Sequence, residues 1–306
     1  MADPAYHVPV LVDEVVHYLD PTRGGLFFDG TVGGGGHSEA ILRAGAAARV
    51  FGVDQDPEAL EVAAERLDRY GDRVTLRPAS FADAASEVSE PLAGALLDLG
   101  VSSHQIDAGE RGFSFRPGLP LDMRMDPTRG RTAAELLNEA AESELADIFY
   151  EYGEEPGARR LAAEVVRERE ERPFRTSDDL VEAMHRAIRG RITPKDKARI
   201  FQALRIAVND ELEALDRGLP ALREALAPAG VLVVLSYHSL EDRRVKNAFR
   251  DWSRACVCPP ELPVCRCRGE PLGSVLTRRP VTASEAEVAS NPRARSVRLR
   301  AWEKAS

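Results

Sequence analysis

Residues 26–38 read LFFDGTVGGGGHS: a short apolar run, an aspartate, and a turn in which glycine fills positions 30 and 33–36. Leu26-Phe27-Phe28 suits a strand buried in a parallel sheet, and Ser38 to Ala44 reads as the helix that follows. A glycine-rich turn between strand and helix lets backbone N–H groups and the helix N-terminus approach a ligand closely. Outward from this stretch, residues 49–54 (RVFGVD) form a second strand, and Pro57 to Tyr70 a second helix with proline at its start. RVTLR (73–77) is a third strand and AGALL (93–97) a fourth, ending at Asp98. Strands alternating with helices at this spacing predict an α/β fold with a doubly wound, Rossmann-like parallel sheet.

After Gln105 the rhythm stops, and helical patterns alone run to Leu215. Thr132-Ala-Ala-Glu135 is a capping box that opens a helix toward Tyr152. Further helices are expected over residues 158–171, after the caps at Thr176 or Ser177, and from Thr193-Pro194 toward Gly218. Strand character returns at VLVVL (231–235), then at 275–281 and 296–302. The economical division is a ligand-binding domain of residues 1–104 and 216–306, interrupted by a helical domain of residues 105–215.

The net charge of −9 argues against a protein that simply coats nucleic acid. Two clusters run against that average. Arg186, Arg189, Arg191, Lys195, Lys197, Arg199 and Arg205 surround the single acid Asp196, and the tail beyond Asp242 is rich in arginine. They are candidates for phosphate contacts. No run is long and apolar enough to span a bilayer and no signal core opens the chain, so a cytoplasmic protein without membrane contact is expected. The four cysteines pair as Cys256-x-Cys258 and Cys265-x-Cys267. Two readings stay open for them, a local structural zinc and thiols in a proline-rich loop.

Asp54 ends the second strand about twenty residues beyond the loop, where a carboxylate accepts hydrogen bonds from ribose hydroxyls. No Gly-Lys-Ser/Thr follows the glycines, which disfavours a Walker phosphate loop. Asp29 at the loop entrance suits a cationic amino-acid moiety better than a pyrophosphate. Asp98 lies at the carboxyl edge where open α/β sheets bind ligands. Together they tilt the reading from NAD toward S-adenosylmethionine.

Six blocks then occur in order: HVPVL (7–11), DGTVGGGGHS (29–38), LDLGVSS (97–103), ERGFSF (110–115), FQALRIAVNDEL (201–212) and SLEDR (239–243). Over nearly the whole chain, to NPRARS at 291–296, the sequence resembles the bacterial 16S ribosomal RNA cytosine-N4 methyltransferase (MraW) family. The resemblance implies a class I S-adenosylmethionine-dependent methyltransferase with an inserted helical domain. Its implied substrate is N4 of a cytidine in the decoding region of 16S rRNA, modified during maturation of the small ribosomal subunit. It carries cofactor contacts to Gly35, Gly36, His37, Asp54, Phe81, Asp98 and Gln105, and makes Gly34 incidental. It implies no catalytic metal. A homodimer is one candidate assembly.

Cytosine N4 has its lone pair delocalised into the ring, so neighbouring acceptors must hold its hydrogens before it attacks well. Asp98 is the first candidate for that work, with cofactor binding as its competing role. His238, in the turn after the fifth strand, is a second candidate, as proton acceptor or base contact. A hydrogen-bonded turn residue is its competing reading. Phe81, Phe113 and Tyr237 are candidates for stacking on adenine or cytosine, with core packing the alternative for the last two. A histidine in the first turn of a helix, as at His37, opposes the dipole when charged, so a ligand contact explains it better than packing.

Overall fold

The structure, a computed structural model, describes residues 9–256, 258, 267 and 269–306. His7 and Cys265 lie outside the described residues. The chain divides into two compact units, Met1–Gly100 with Leu212–Ser306, and Val101–Glu211. The sequence had placed these junctions after residues 104 and 215.

The first unit begins with α1 (Val12–Leu19) and β1 (Gly25–Asp29), followed by α2 (Gly36–Ala44), β2 (Ala48–Asp54), α3 (Pro57–Leu67), β3 (Val74–Pro78), α4 (Phe81–Ala84) and β4 (Leu92–Asp98). Pro57 stands at the first position of α3, and the Asp56 side chain before it accepts from Glu58 N at 3.1 Å. The second unit carries α5 (Ser103–Asp107), α6 (Ala133–Glu139), α7 (Glu142–Asp147), α8 (Ala158–Glu171), α9 (Ser177–Ala187) and α10 (Pro194–Val208). The chain then returns through α11 (Glu211–Ala225), β5 (Leu226–Ser236), α12 (Ser239–Trp252), β6 (Gly273–Val275), α13 (Glu285–Ser290) and β7 (Arg298–Lys304).

The sheet order is β3-β2-β1-β4-β5-β7-β6. The first five strands are parallel, but β7 lies antiparallel between β5 and β6. The parallel sheet expected from the alternating strands and helices is thus present, and β7 and β6 extend it antiparallel at one edge. The strand expected over 275–281 is shorter: β6 ends at Val275, and Val281 makes only an isolated bridge to Leu299. Successive strand residues feed opposite faces. Phe27, Val50, Leu96 and Val233 pack beneath α1, α2 and α3, while Phe28, Ala95, Leu97, Leu232 and Val234 meet α4, α11 and α12. Burial on both faces is why these strands read as continuous apolar runs.

The second unit packs its helices around Phe149, Leu161, Phe174, Met184, Phe201 and Leu204. The helix expected from Thr132 to Tyr152 is broken: Ala140 and Ala141 are extended between α6 and α7. Arg169 stabilises that break by donating to the carbonyls of Leu137 (3.0 Å) and Ala140 (2.7 Å) at the end of α6. The long helix from Thr193 also breaks, with Asp210 at φ 50° between α10 and α11. There the Asn209 amide donates to Met123 O and accepts from Met125 N, both at 2.7 Å. Both breaks depend on partners distant in sequence.

Candidate active site

The sheet grows outward from β1 through β2 to β3, then resumes on the other side of β1 with β4. Helices change faces at that reversal, which leaves a crevice beyond the carboxyl ends of β1 and β4. Asp29, Asp54 and Asp98 end β1, β2 and β4.

The glycine loop is tied to β2 and β4, the two strands that flank β1. Gly30 N donates to Leu96 O (2.9 Å), Val32 N to Val53 O (3.1 Å), and Gly33 N to Asp54 Oδ2 (2.8 Å). Thr31 Oγ1 accepts from Asp98 N at 2.6 Å, fixing the end of β4 against the loop. Asp29 is fully buried and accepts from Ser38 Oγ (2.6 Å) and Thr31 N (3.2 Å). Burial pushes its carboxyl up, against the pull of Ser38 and His37. Through the bonds from Ser38 and Thr31, Asp29 clamps the two ends of the loop together.

The glycines also make room for protein. Gly35 takes φ 79° as the residue capping α2, and a Cβ there would stand 3.3 Å from the Ala63 backbone of α3. A Cβ on Gly36 would meet Pro9 at 2.9 Å. The bare backbone at these two positions lets α3 and the N-terminal segment close on the turn.

His37, Asp98 and Tyr237 come together in the crevice. Tyr237 donates its hydroxyl to Asp98 Oδ1 at 2.8 Å, and His37 Nε2 lies 3.3 Å from Asp98 Oδ2. Burial and the Asp98 charge push the Tyr237 phenol well above its usual range, so it stays a donor. The His37 ring is 5% exposed, and neither nitrogen has an aligned hydrogen bond among the described residues. A buried imidazole with both nitrogens unsatisfied is costly, and a polar ligand would relieve it. The sequence alone suggests only stacking or core packing for Tyr237. Its role follows from strand register: Asp98 pairs with Leu235, two residues before Tyr237 on the neighbouring strand.

The other expected site residues are placed differently. Asp54 is half-buried and accepts from Gly33 N and, at 2.9 Å, from Asp56 N. Burial pushes its carboxyl up to about 6, against these two amides. Phe81 turns its ring into the core, where it fills the space left by the missing side chain of Gly218 in α11. Its Cβ borders Gly30. Gln105 belongs to the second unit and completes a capping box for α5, accepting from Ser102 N at 2.9 Å while its own N donates to Ser102 Oγ at 3.1 Å. His238 caps α12 with Nε2 3.0 Å from Glu241 Oε1, and Glu241 Oε2 accepts from Tyr237 N at 2.9 Å. Phe113 packs against the helical core of the second unit.

Three members of the basic cluster serve the fold. Arg186 pairs with Glu168 and Glu182, Arg199 with Glu155 and Asp196, and Arg205 with Glu211. Arg189, Arg191 and Lys195 are exposed and carry no ion pair to described residues. In the tail, Arg298 and Arg300 bind Asp242 and are likewise structural. No described helix is long and apolar enough to cross a membrane.

Residues 4–305 match the MraW methylase family. A protein of Gemmatimonas aurantiaca called ribosomal RNA small subunit methyltransferase H is 53% identical over 305 residues, covering 98% of this chain and 96% of that protein. Proteins of the same name from Heliobacterium modesticaldum and Symbiobacterium thermophilum are 48% and 51% identical. They cover 98% and 97% of this chain, and 98% and 96% of their own lengths. On this similarity, end to end and at about half of all positions, the chain belongs to the MraW methylase family.

Proposed function

We propose that this chain transfers a methyl group from S-adenosylmethionine to N4 of a cytidine in the decoding region of 16S rRNA. The observation that carries the reading is the Asp98 carboxylate, held by Tyr237 beside the unsatisfied His37 ring at the switch point of the sheet. The residues fit the cofactor. Asp54 would accept from its ribose hydroxyls, the His37 ring would gain a polar partner, and the turn at Gly35 and Gly36 would lie along it. When bound, the cofactor supplies an electrophilic methyl group. Asp98 accepts a hydrogen bond from the cytosine amino group, which localises the nitrogen lone pair, and Tyr237 keeps that carboxylate in place. Incubation of undermethylated small subunits with the protein and isotopically labelled S-adenosylmethionine tests the reading. Nuclease digestion and mass spectrometry should find label in N4-methylcytidine. Label in another nucleoside, or none, would overturn it.

The Asp54 value of about 6 gives this site a pH dependence. Its folded value lies above the unfolded 3.8, so folding favours the protonated form, and that stabilisation is lost as pH rises through about 6. Ribose binding needs the ionised acceptor, which works in the opposite direction. S-Adenosylhomocysteine affinity is expected to fall as pH drops below about 6, by roughly tenfold per pH unit once protonation dominates. Asp54→Ala should weaken binding at neutral pH by about 1–3 kcal/mol and remove the slope. Calorimetric titration across this range checks both, and a flat profile for the unaltered chain would contradict the ribose assignment.

Within the basic cluster, Arg189, Arg191 and Lys195 are the proposed phosphate contacts, because they are exposed and carry no ion pair to described residues. Reversing all three to glutamate should weaken rRNA binding and lower the slope of log affinity against log salt by roughly 0.7–0.9 per lost contact, with S-adenosylhomocysteine affinity unchanged. Filter binding across a salt series measures this, and an unaltered slope would place the RNA elsewhere.

A further inference from the structure

The loop between α12 and β6 leaves the core at Trp252 and returns at Leu272, where Leu272 N donates to Trp252 O at 2.8 Å. Its ends are thus fastened together, but the sequence between them is rich in proline, arginine and cysteine and poor in bulky apolar residues. Such a segment cannot bury a core of its own, and loops of this kind are commonly held by a cross-link or a metal.

Three described sulfurs meet inside it. The Sγ atoms of Cys256, Cys258 and Cys267 all lie within 4.8 Å of one another, although Cys267 is far along the loop from the first pair. Cys267 Sγ also lies 3.8 Å from Ala255 O, beside the first cysteine of the loop. Tetrahedral coordination by thiolates about 2.3 Å from the metal sets the sulfurs roughly 3.8 Å apart. A disulfide joins two sulfurs at about 2.05 Å and so does not account for three meeting. The ligands of an iron–sulfur cluster stand further apart, because irons and sulfides lie between them. With neither carboxylate nor imidazole in the group, the donor set is soft, and soft sets select zinc(II) over magnesium or calcium.

We infer that Cys256, Cys258 and Cys267 form a thiolate site for a single zinc(II) ion that fixes the α12–β6 loop. The site is structural and separate from the crevice at β1 and β4. Cys256 is exposed and the other two are half-exposed, which gives the ion a path in.

The test uses the full chain, purified under reducing conditions and then incubated with zinc or with cobalt(II). Gel filtration followed by elemental analysis should return about one zinc per chain. Cobalt(II) should give a thiolate-to-metal charge-transfer band in the near ultraviolet and the intense visible bands of tetrahedral coordination, both lost when zinc is added. The variant Cys256→Ser/Cys258→Ser/Cys267→Ser should lose metal and bands while keeping the circular dichroism of the unaltered chain. The unaltered chain guards against misfolding of the variant, because its own cobalt spectrum decides the ligand type. Weak bands of octahedral cobalt, no retained metal, or sulfurs tied in disulfides with zinc present would each overturn the proposal.

Discussion

Asp98→Ala is expected to lower kcat for rRNA methylation by about 10²–10³ at saturating cofactor. The carboxylate ends β4 at the crevice, and its backbone N is independently held by Thr31, so the strand end survives loss of the side chain. What disappears is an acceptor whose Oδ1 is fixed by Tyr237 and whose Oδ2 stands 3.3 Å from His37 Nε2. Tyr237→Phe removes the anchor and keeps the acceptor, so its expected loss is nearer tenfold, the worth of one hydrogen bond of about 1.4 kcal/mol. The ordering of the two variants carries the argument. Steady-state kinetics with the cofactor and rRNA varied separately resolves it. A rise in cofactor KM alone, with kcat intact, would reduce Asp98 to a cofactor ligand and sink the proposed contact with the base.

The parallel half of the sheet was legible because β1, β4 and β5 are buried on both faces and the chain is punctuated by helix starts such as Asp56-Pro57. The strand at 296–302 was legible too and is β7, but its antiparallel direction was not. Residues 298–304 carry arginines whose charges are matched by Asp242 on α12, and no local pattern announces that partner. The helix breaks at Ala140 and Asn209 escaped for the same reason, since Arg169 and the Met123 backbone stabilise them from afar. At the site, residue types at strand ends picked out Asp54 and Asp98. The bond from Ser38 to Asp29 and the packing of the Phe81 ring against Gly218 were hidden, because each joins residues that no local pattern links. The ordered blocks likewise mixed two kinds of residue. In ERGFSF, Arg111 is buried and donates to Arg124 O (3.2 Å) and Met125 O (2.9 Å), while in SLEDR Glu241 caps α12.

The Asp242 of that last block should be among the most sensitive positions for stability. Asp242→Ala is expected to cost about 3–5 kcal/mol, because it leaves the buried Arg300 without a counter-charge. Arg300 and Asp242 are 10% and 9% exposed, and the guanidinium binds the carboxylate through Nε at 2.7 Å and Nη2 at 3.3 Å. Arg298 approaches Oδ2 at 3.0 Å but is 51% exposed, so its share is small, about 0–1 kcal/mol. The pair clips the first turn of α12 to β7, which reaches the sheet only by pairing antiparallel with β5 and β6. Burial alone would push the Asp242 carboxyl up, but the bonds from Arg300 and Arg298 outweigh it and hold the group below its usual range. A depressed carboxylate stabilises the fold above the unfolded value of about 4, and that contribution is lost as pH falls through the lower folded value. The unaltered chain should therefore lose stability on acidification through this window, and Asp242→Ala should lose less. Urea denaturation at neutral and acidic pH measures both effects. The double change Asp242→Leu/Arg300→Met should recover most of the loss, since apolar groups of similar volume commonly replace a buried ion pair at little cost. A single-variant penalty below about 1 kcal/mol would show that water, rather than Asp242, compensates Arg300.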